Sequence, residues 1–385
     1  MNDFKNFFLL NEEVTFLNFG SFGATPKPVF EKYQSFQLEM ERDPVQFITK
    51  RGIQYLKESR EALATITNAD ANDLVLVTNP SYAVNTVAKS LDLKAGDEIL
   101  ATDIEYGACD RTWDLVCKQK GAQYIRQHIQ LPLVSDEQFV NDLFAGANER
   151  TRMIFISHIT STTALIFPAE AVIRKAKTMG IPVFIDGAHA IGQIPLDLTS
   201  LDAEFYTGAC HKWLMTPKGC SFLHVKKSWQ EQVYPLIVSW GYEALFPSES
   251  KFIDWHQMNG TRDYTAMLCV PHAIAFQKAH HWDKVAQDCK KLAYFNAHTF
   301  SHLLQSPLLA PSEYIGQMVS VQIQTPDPEA LYQTFVQRFR IEIPVMRQDD
   351  KVYLRYSVQV FTDQADLDVL FDAIQTLIQE GRIRV

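Results

Sequence analysis

Little in this chain points to a membrane, a nucleic acid or an oxidising compartment. No uninterrupted apolar stretch approaches the roughly 20 residues that a helix needs to span a bilayer. The opening residues, Met1 to Leu10, carry no basic segment, and their apolar run stops at Asn11-Glu12-Glu13, too early for a secretory leader. A cytoplasmic location is therefore expected. Excess positive charge is lacking too: 36 basic side chains face 45 acidic ones, a formal charge of −9 that opposes binding to nucleic acid or an anionic lipid surface. The six cysteines, Cys109, Cys117, Cys210, Cys220, Cys269 and Cys289, include no CxxC pair, so neither a disulfide frame nor a metal site is expected. Internal repeats and low-complexity tracts are also missing. What remains is 385 residues, 46% hydrophobic and 21% charged, enough to bury one large core and a smaller one.

From about residue 74 short apolar runs bounded by turn residues alternate with longer amphipathic stretches, the pattern of βα units around a mostly parallel sheet. Residues 74–77, 98–101, 122–129, 153–157, 183–185, 204–207 and 221–225 read as strands, and 82–90, 111–120, 136–145 and 169–179 as helices between them. Beyond about Thr265 the texture changes to one long helical region over 270–305, strands near 318–324 and 352–358, and helices near 328–339 and 363–379. The fold class is thus α/β, in three parts: an N-terminal arm over 1–45 punctuated by Pro26, Pro28 and Pro44, a large domain over 46–264, and a smaller α+β domain over 265–385.

Chemistry concentrates in two segments. Val183-Phe184-Ile185 is followed by Asp186-Gly187-Ala188-His189, which puts an acid at the carboxyl end of a buried strand, where α/β sheets place their ligands. An Asp before Gly can equally cap its own turn. After one further strand comes His211-Lys212-Trp213. A lysine between two bulky rings in an apolar stretch is partly desolvated, which lowers its pKa and frees the amine to attack an aldehyde. A snorkelling surface lysine is the alternative. Amine and carboxylate in this order suit pyridoxal 5′-phosphate (PLP), whose aldehyde takes the amine and whose pyridine nitrogen takes the acid. Lys218, between Pro217 and Gly219, reads as an ordinary loop lysine. Thr78-Asn79-Pro80-Ser81 joins a strand to a helix, a junction able to receive a phosphate or simply to cap the helix. Gly260-Thr261-Arg262-Asp263 reads as a turn that could add a phosphate contact.

Together these segments, with Leu17-Asn18-Phe19-Gly20-Ser21-Phe22-Gly23, Glu105-Tyr106-Gly107-Ala108, Ser157-His158-Ile159-Thr160-Ser161 and Tyr353-Leu354-Arg355-Tyr356-Ser357, resemble the class V aminotransferase-like branch of fold type I PLP enzymes. The likeness is greatest to the isopenicillin N epimerase-like group, which is related to the cysteine desulfurases and lyases.

The resemblance implies an aspartate aminotransferase-like fold and a catalytic set of Lys212, Asp186, His189 and Tyr106. Lys212 would carry PLP as a Schiff base and move the α-proton. Asp186 would pair with the pyridine nitrogen, His189 and Ser161 would lie near the phenolic oxygen, and Tyr106 would stack on the ring, although an aromatic at a helix start can equally be core packing. Asn79, Pro80, Ser81 and His211 would bind phosphate, with Thr261 reaching it from the other subunit of a homodimer. Arg355, for which a strand-end surface ion pair is the alternative, would clamp the substrate carboxylate with Asn18. Two departures matter. Ala209 stands where relatives often place a polar phosphate ligand, and no cysteine follows Cys289 to act as a desulfurase nucleophile. The implied activity is epimerase-like or lyase chemistry on a small amino acid. An aminotransferase, a desulfurase-type lyase and a PLP-free binding protein on the same fold are the alternatives, and His158 or a tyrosine is a candidate second acid.

Overall fold

The computed structural model describes residues 3–245, 247–248 and 250–385. Seven strands form its central sheet: β1 (Leu74–Val77), β2 (Glu98–Thr102), β3 (Gln123–Gln127), β4 (Thr151–Ser157), β5 (Val183–Asp186), β6 (Phe205–Gly208) and β7 (Ser221–Val225). Their spatial order is β1-β7-β6-β5-β4-β2-β3. All neighbours run parallel except β7, which is antiparallel to both β1 and β6. Helices cover both faces, so successive residues of a strand enter different cores: Leu74, Leu76, Ile154 and Ile156 face one, and Val75, Val77, Met153 and Phe155 the other. That two-sided burial is why these strands read as continuous apolar runs without polar alternation. The edge strand β3, Gln-Tyr-Ile-Arg-Gln, keeps Gln123 and Arg126 exposed, which discourages edge-to-edge pairing.

A second sheet of β8 (Met318–Ile323), β9 (Val345–Gln348) and β10 (Lys351–Ser357) is antiparallel in the order β9-β10-β8. Helices Trp282–Leu303, Pro328–Gln337 and Gln364–Gln379 surround it, sealing a separate apolar cluster that includes Phe300, Val321, Phe335, Leu354 and Leu370.

Three elements differ from the sequence expectation. The long helical region is two helices, Val270–Ala279 and Trp282–Leu303, broken where His281 takes a left-handed φ of 50° with neither Gly nor Pro to announce it. The first of them sends Val270, Ile274 and Phe276 into the large core, beyond the expected boundary at 265. The prolines of the N-terminal stretch begin helices: Pro26 is the N-cap of Lys27–Arg42, Pro28 lies in its first turn, and Gly52–Thr67 follows. Proline is accommodated there because the first N–H groups of a helix have no intrahelical partner to lose. Strand β9 gives no clear signal in the sequence, because its Val-Met-Arg-Gln is short and half polar.

The N-terminal segment ties both parts together. Thr15–Phe16 pairs in parallel with Ile341–Glu342. Leu17 enters the small core while Phe19 enters the large one, its ring 5.1 Å from Trp213 and 5.9 Å from Phe361. Phe19→Ala is therefore expected to cost about 3–5 kcal/mol, the range for truncating a fully buried phenylalanine. A urea titration reads this as a lowered midpoint, and an unchanged midpoint would contradict the bridging role.

Candidate active site

The carboxyl ends of β4, β5 and β6 lie level, with Ser157 opposite Asp186 and Asp186 opposite Thr207. A cavity of about 220 Å³ opens above them. Asp186 lines it and also caps its own turn: one oxygen accepts the Ala188 N–H at 3.0 Å and the other the Cys109 thiol at 3.5 Å. Burial raises its pKa, against those hydrogen bonds and the charge of Lys212. The next residue has to be glycine, because a β-carbon at Gly187 would come within 2.1 Å of the Tyr206 hydroxyl.

Lys212 enters from the turn after β6 and is half-buried, lining the cavity and not snorkelling to the surface. Burial, aided by the charge of Arg355, brings its pKa down to about 8, while Asp186 pulls the other way. Its Nζ lies 3.1 Å from His189 Nε2. The tautomer follows from the neighbour: the Trp213 indole N–H can only donate, and it meets His189 Nδ1 at 3.4 Å. That leaves the ring proton on Nε2, directed at the lysine amine, which can accept it once neutral, above about pH 8. Burial keeps His189 uncharged. Backbone of the N-terminal segment presses on the same place: Gly23 has φ 65°, and a β-carbon there would lie 2.3 Å from the His211 carbonyl and 2.9 Å from the Lys212 α-carbon. Lys218 is more than a loop lysine, since its ammonium donates to the Gly23 carbonyl at 3.3 Å.

At the other end, Asn79 caps helix Pro80–Ser90 by accepting the Tyr82 N–H at 2.8 Å. Asn79, Pro80 and Ser81 all line the cavity at the positive end of that helix, with His211 beside them. The His211 Nδ1–H donates to the Cys220 carbonyl at 2.9 Å, and burial lowers the imidazole pKa to about 4. Tyr106, far from being core, is 46% exposed and lines the cavity mouth with Ser161.

Arg355, on β10, is 1% exposed, so the surface ion pair is ruled out. Among the described residues no carboxylate forms a salt bridge with it. It donates to the Ser161 carbonyl at 2.6 Å, to Ser21 Oγ at 3.0 Å and to Asn18 Oδ1 at 3.5 Å, while its Nε is buried without a partner. Burial brings its pKa down to about 10, so it stays charged. Arg355 and Asn18 stand behind the cavity wall, which Ser21 and Ser161 form.

Two expected residues are not brought in. Thr261 is exposed and outside the cavity lining; its turn is tied to the phosphate-side helix by the Asn259 amide donating to the Tyr82 hydroxyl at 3.1 Å. His158 is half-buried with Nδ1 2.9 Å from Tyr206 OH, desolvation lowers its pKa to about 4, and it does not line the cavity. Sequence reasoning missed Ser21, Phe22, Ser157 and Ile159 in the lining, and the buried carboxyl of Glu105. Ser157 was findable as the last residue of the strand beside Asp186. A larger cavity of about 950 Å³, lined by Ile191, Ile274 and Trp282 among others, lacks any pairing of a buried amine with a buried acid. The chemistry therefore belongs to the smaller one. Among the described residues no group of three His, Cys, Asp or Glu is placed to hold a metal ion.

These residues fit PLP. A desolvated amine and a buried acid share one cavity, and a helix N-terminus suits a phosphate.

A sequence profile described as Aminotransferase class-V matches residues 21–370. Isopenicillin N epimerase of Streptomyces clavuligerus is 34% identical over 387 residues, covering 97% of each chain. Hercynylcysteine sulfoxide lyase of Schizosaccharomyces pombe is 26% identical over 95% of this chain and 94% of its own. Among solved structures, the cystine C–S lyase C-DES in complex with its product cysteine persulfide superposes with a TM-score of 0.83 at 20% identity, covering 97% of this chain and 99% of that one.

Only a neutral amine attacks an aldehyde. The rate of PLP attachment to the apoprotein should therefore rise with pH to about 8 and level off above it, whereas a solvated lysine gains reactivity up to about 10.4. Stopped-flow absorbance on wild type and Lys212→Ala measures this, and a rate still climbing steeply at pH 9.5, about a unit below the ordinary lysine value, would show that the amine is not desolvated.

Proposed function

The chain belongs to the class V aminotransferase family and is a PLP-dependent enzyme, and from that premise we propose that it removes and returns the α-proton of a small amino acid, with an isopenicillin N epimerase-like outcome. The observation carrying this reading is the shared cavity of the Lys212 amine and the Asp186 carboxylate, backed by the unpaired guanidinium of Arg355. Enzyme chemistry displaces the idea of a PLP-free binding protein.

When bound, PLP supplies an electron sink for the bond broken at the α-carbon. Asp186 would pair with the ring nitrogen and hold a proton there, which makes the sink effective. Asn79, Pro80 and Ser81 would hold the phosphate at the helix N-terminus, aided by the Ser81 hydroxyl. His211, its Nδ1–H held by the Cys220 carbonyl, would join them by accepting a hydrogen bond at Nε2 from a protonated phosphate oxygen. His189 and Ser161, both in the cavity lining, would lie near the phenolic oxygen. The substrate carboxylate takes the two-pronged face of Arg355, using the free Nε and displacing Ser21 from Nη2, with Asn18 behind. Lys212, as a neutral amine, takes the α-proton. Epimerisation needs a second proton carrier on the opposite face, and Tyr106, expected against the ring, is our assignment.

Lyase chemistry is the second reading, favoured by the likeness to the sulfoxide lyase and to C-DES. A persulfide-forming thiol is disfavoured: all six cysteines are buried and none lines the cavity. We also infer a cytoplasmic homodimer with Thr261 contributed across the interface. The exposed side chains of Ile237, Val238 and Trp240 support a covering partner, as adjacent apolar groups rarely stay in water. No helix among the described residues is long and apolar enough to cross a membrane.

Holoenzyme incubated with L-amino acids in deuterated water tests the reading. We expect α-deuterium and loss of chirality with a responsive substrate, both abolished in Lys212→Ala. Tyr106→Phe should slow chirality loss by about 100-fold or more while α-exchange with retention persists. Release of pyruvate with ammonia or sulfide would move the assignment to the lyase. Equal loss of exchange and chirality in Tyr106→Phe would remove Tyr106 from the proton path.

A further inference from the structure

Beside Asp186 lies a second buried carboxyl that none of the roles above uses. Glu105 follows β2 by three residues and is 2% exposed. One oxygen accepts the Thr102 hydroxyl at 2.6 Å; the other accepts the Ser157 N–H at 2.8 Å and its hydroxyl at 2.6 Å. No cationic side chain among the described residues pairs with it. Ser157 is both a cavity wall and the register partner of Asp186. The titratable groups facing Glu105 are Asp186 from β5, Cys109 from helix Gly107–Lys120 and Tyr124 from β3.

Two carboxyls in one dry site resist ionising together. Burial pushes Glu105 up to about 8; the bonds from Ser157 and Thr102 oppose this, and the charge of Asp186 adds to it. The geometry accommodates either state. Ser157's N–H can only donate, so Oε2 remains an acceptor, while a proton on Oε1 can be given to Thr102, whose hydroxyl reverses role. Glu105 also immediately precedes Tyr106, so its bonds to Ser157 pin the turn that presents that ring.

We propose that Glu105 is a positioning residue that sets the negative charge beneath the cofactor, withholding or supplying a second anion beside Asp186 and thereby tuning the protonation of the link between PLP and Lys212. The proposal rests on the placement of PLP between those two residues. The sign follows from electrostatics. An ionised Glu105 favours the cationic form of the link and keeps it protonated to higher pH. Glu105→Gln keeps the size but never carries the charge, so its link should lose its proton earlier.

The test is a pH titration of the visible absorbance of purified holoenzyme, with bound PLP verified after release by alkali. Glu105→Gln should move the midpoint down by roughly half a unit or more. Thr102→Val, which removes one donor to the carboxylate and so discourages its ionisation, should move it the same way by less. Midpoints identical to wild type in both PLP-loaded variants, or an upward shift, would overturn the proposal. Should Glu105→Gln fail to fold, the Thr102→Val midpoint decides alone. Wild type that takes up no PLP, or Lys212→Ala that gives the same band, would instead defeat the underlying placement.

Discussion

A lysine amine that its surroundings bring within reach of neutrality is the condition on which the rest of this site depends. Burial pushes Lys212 toward neutrality, but a neutral amine still needs a donor for its lone pair, and His189 Nε2 is placed to be that donor. His189 can do so only while Nδ1 accepts from the Trp213 indole, which in turn is wedged against Phe19. A residue next to the lysine in sequence therefore fixes the proton on a ring that arrives from a different strand. The two bulky neighbours of Lys212 have separate tasks: Trp213 sets the histidine tautomer, and His211 turns toward the phosphate end, its orientation fixed by the Cys220 carbonyl.

Charge balance explains the remaining wall. Arg355 is fully buried, yet its guanidinium is met only by a carbonyl, two hydroxyls and an amide oxygen. Folding has already stripped this cation of water without giving it an anion, so an arriving carboxylate meets a desolvated and preoriented partner. On the opposite side Asp186 and Glu105 offer two acids, and only one has a nearby amine. Positive charge on the substrate side and graded negative charge beneath the ring position are the polarity that proton removal at an α-carbon requires.

Residues whose role is written in their immediate neighbours were legible from the chain alone. Asp186 follows a buried strand and Lys212 sits between rings, so both could be read without a fold, and the order of seven apolar runs conveyed the sheet. Family likeness was needed for Arg355 and Tyr106. Neither the burial of a strand arginine nor the exposure of a helix-start tyrosine is encoded locally, because each depends on what distant segments cover it. The role of Glu105 is not legible locally, since it depends on Ser157 of another strand. The break at His281 and the helices begun by Pro26 and Pro44 were misread for a related reason. A left-handed histidine leaves no mark in the sequence, and proline marks a helix start and a helix stop alike.

The N-terminal segment shows why the site has to be considered whole. Its Thr15–Phe16 strand is hydrogen-bonded to Ile341–Glu342, Asn18 reaches Glu342 at 3.0 Å, and the Gly20 N–H donates to Ser357 at 3.1 Å, so one end is fastened to the small sheet that carries Arg355. Its other end, at Gly23, lies against the Lys212 backbone and is held by Lys218. Ser21, midway, is a partner of Arg355 and a wall of the cavity. A carboxylate that takes Nη2 from Ser21 therefore acts on the same segment that abuts the lysine. Recognition of the substrate's acid group and placement of the reactive amine thus share one short stretch of backbone, although the residues that perform them lie more than a hundred positions apart in the chain.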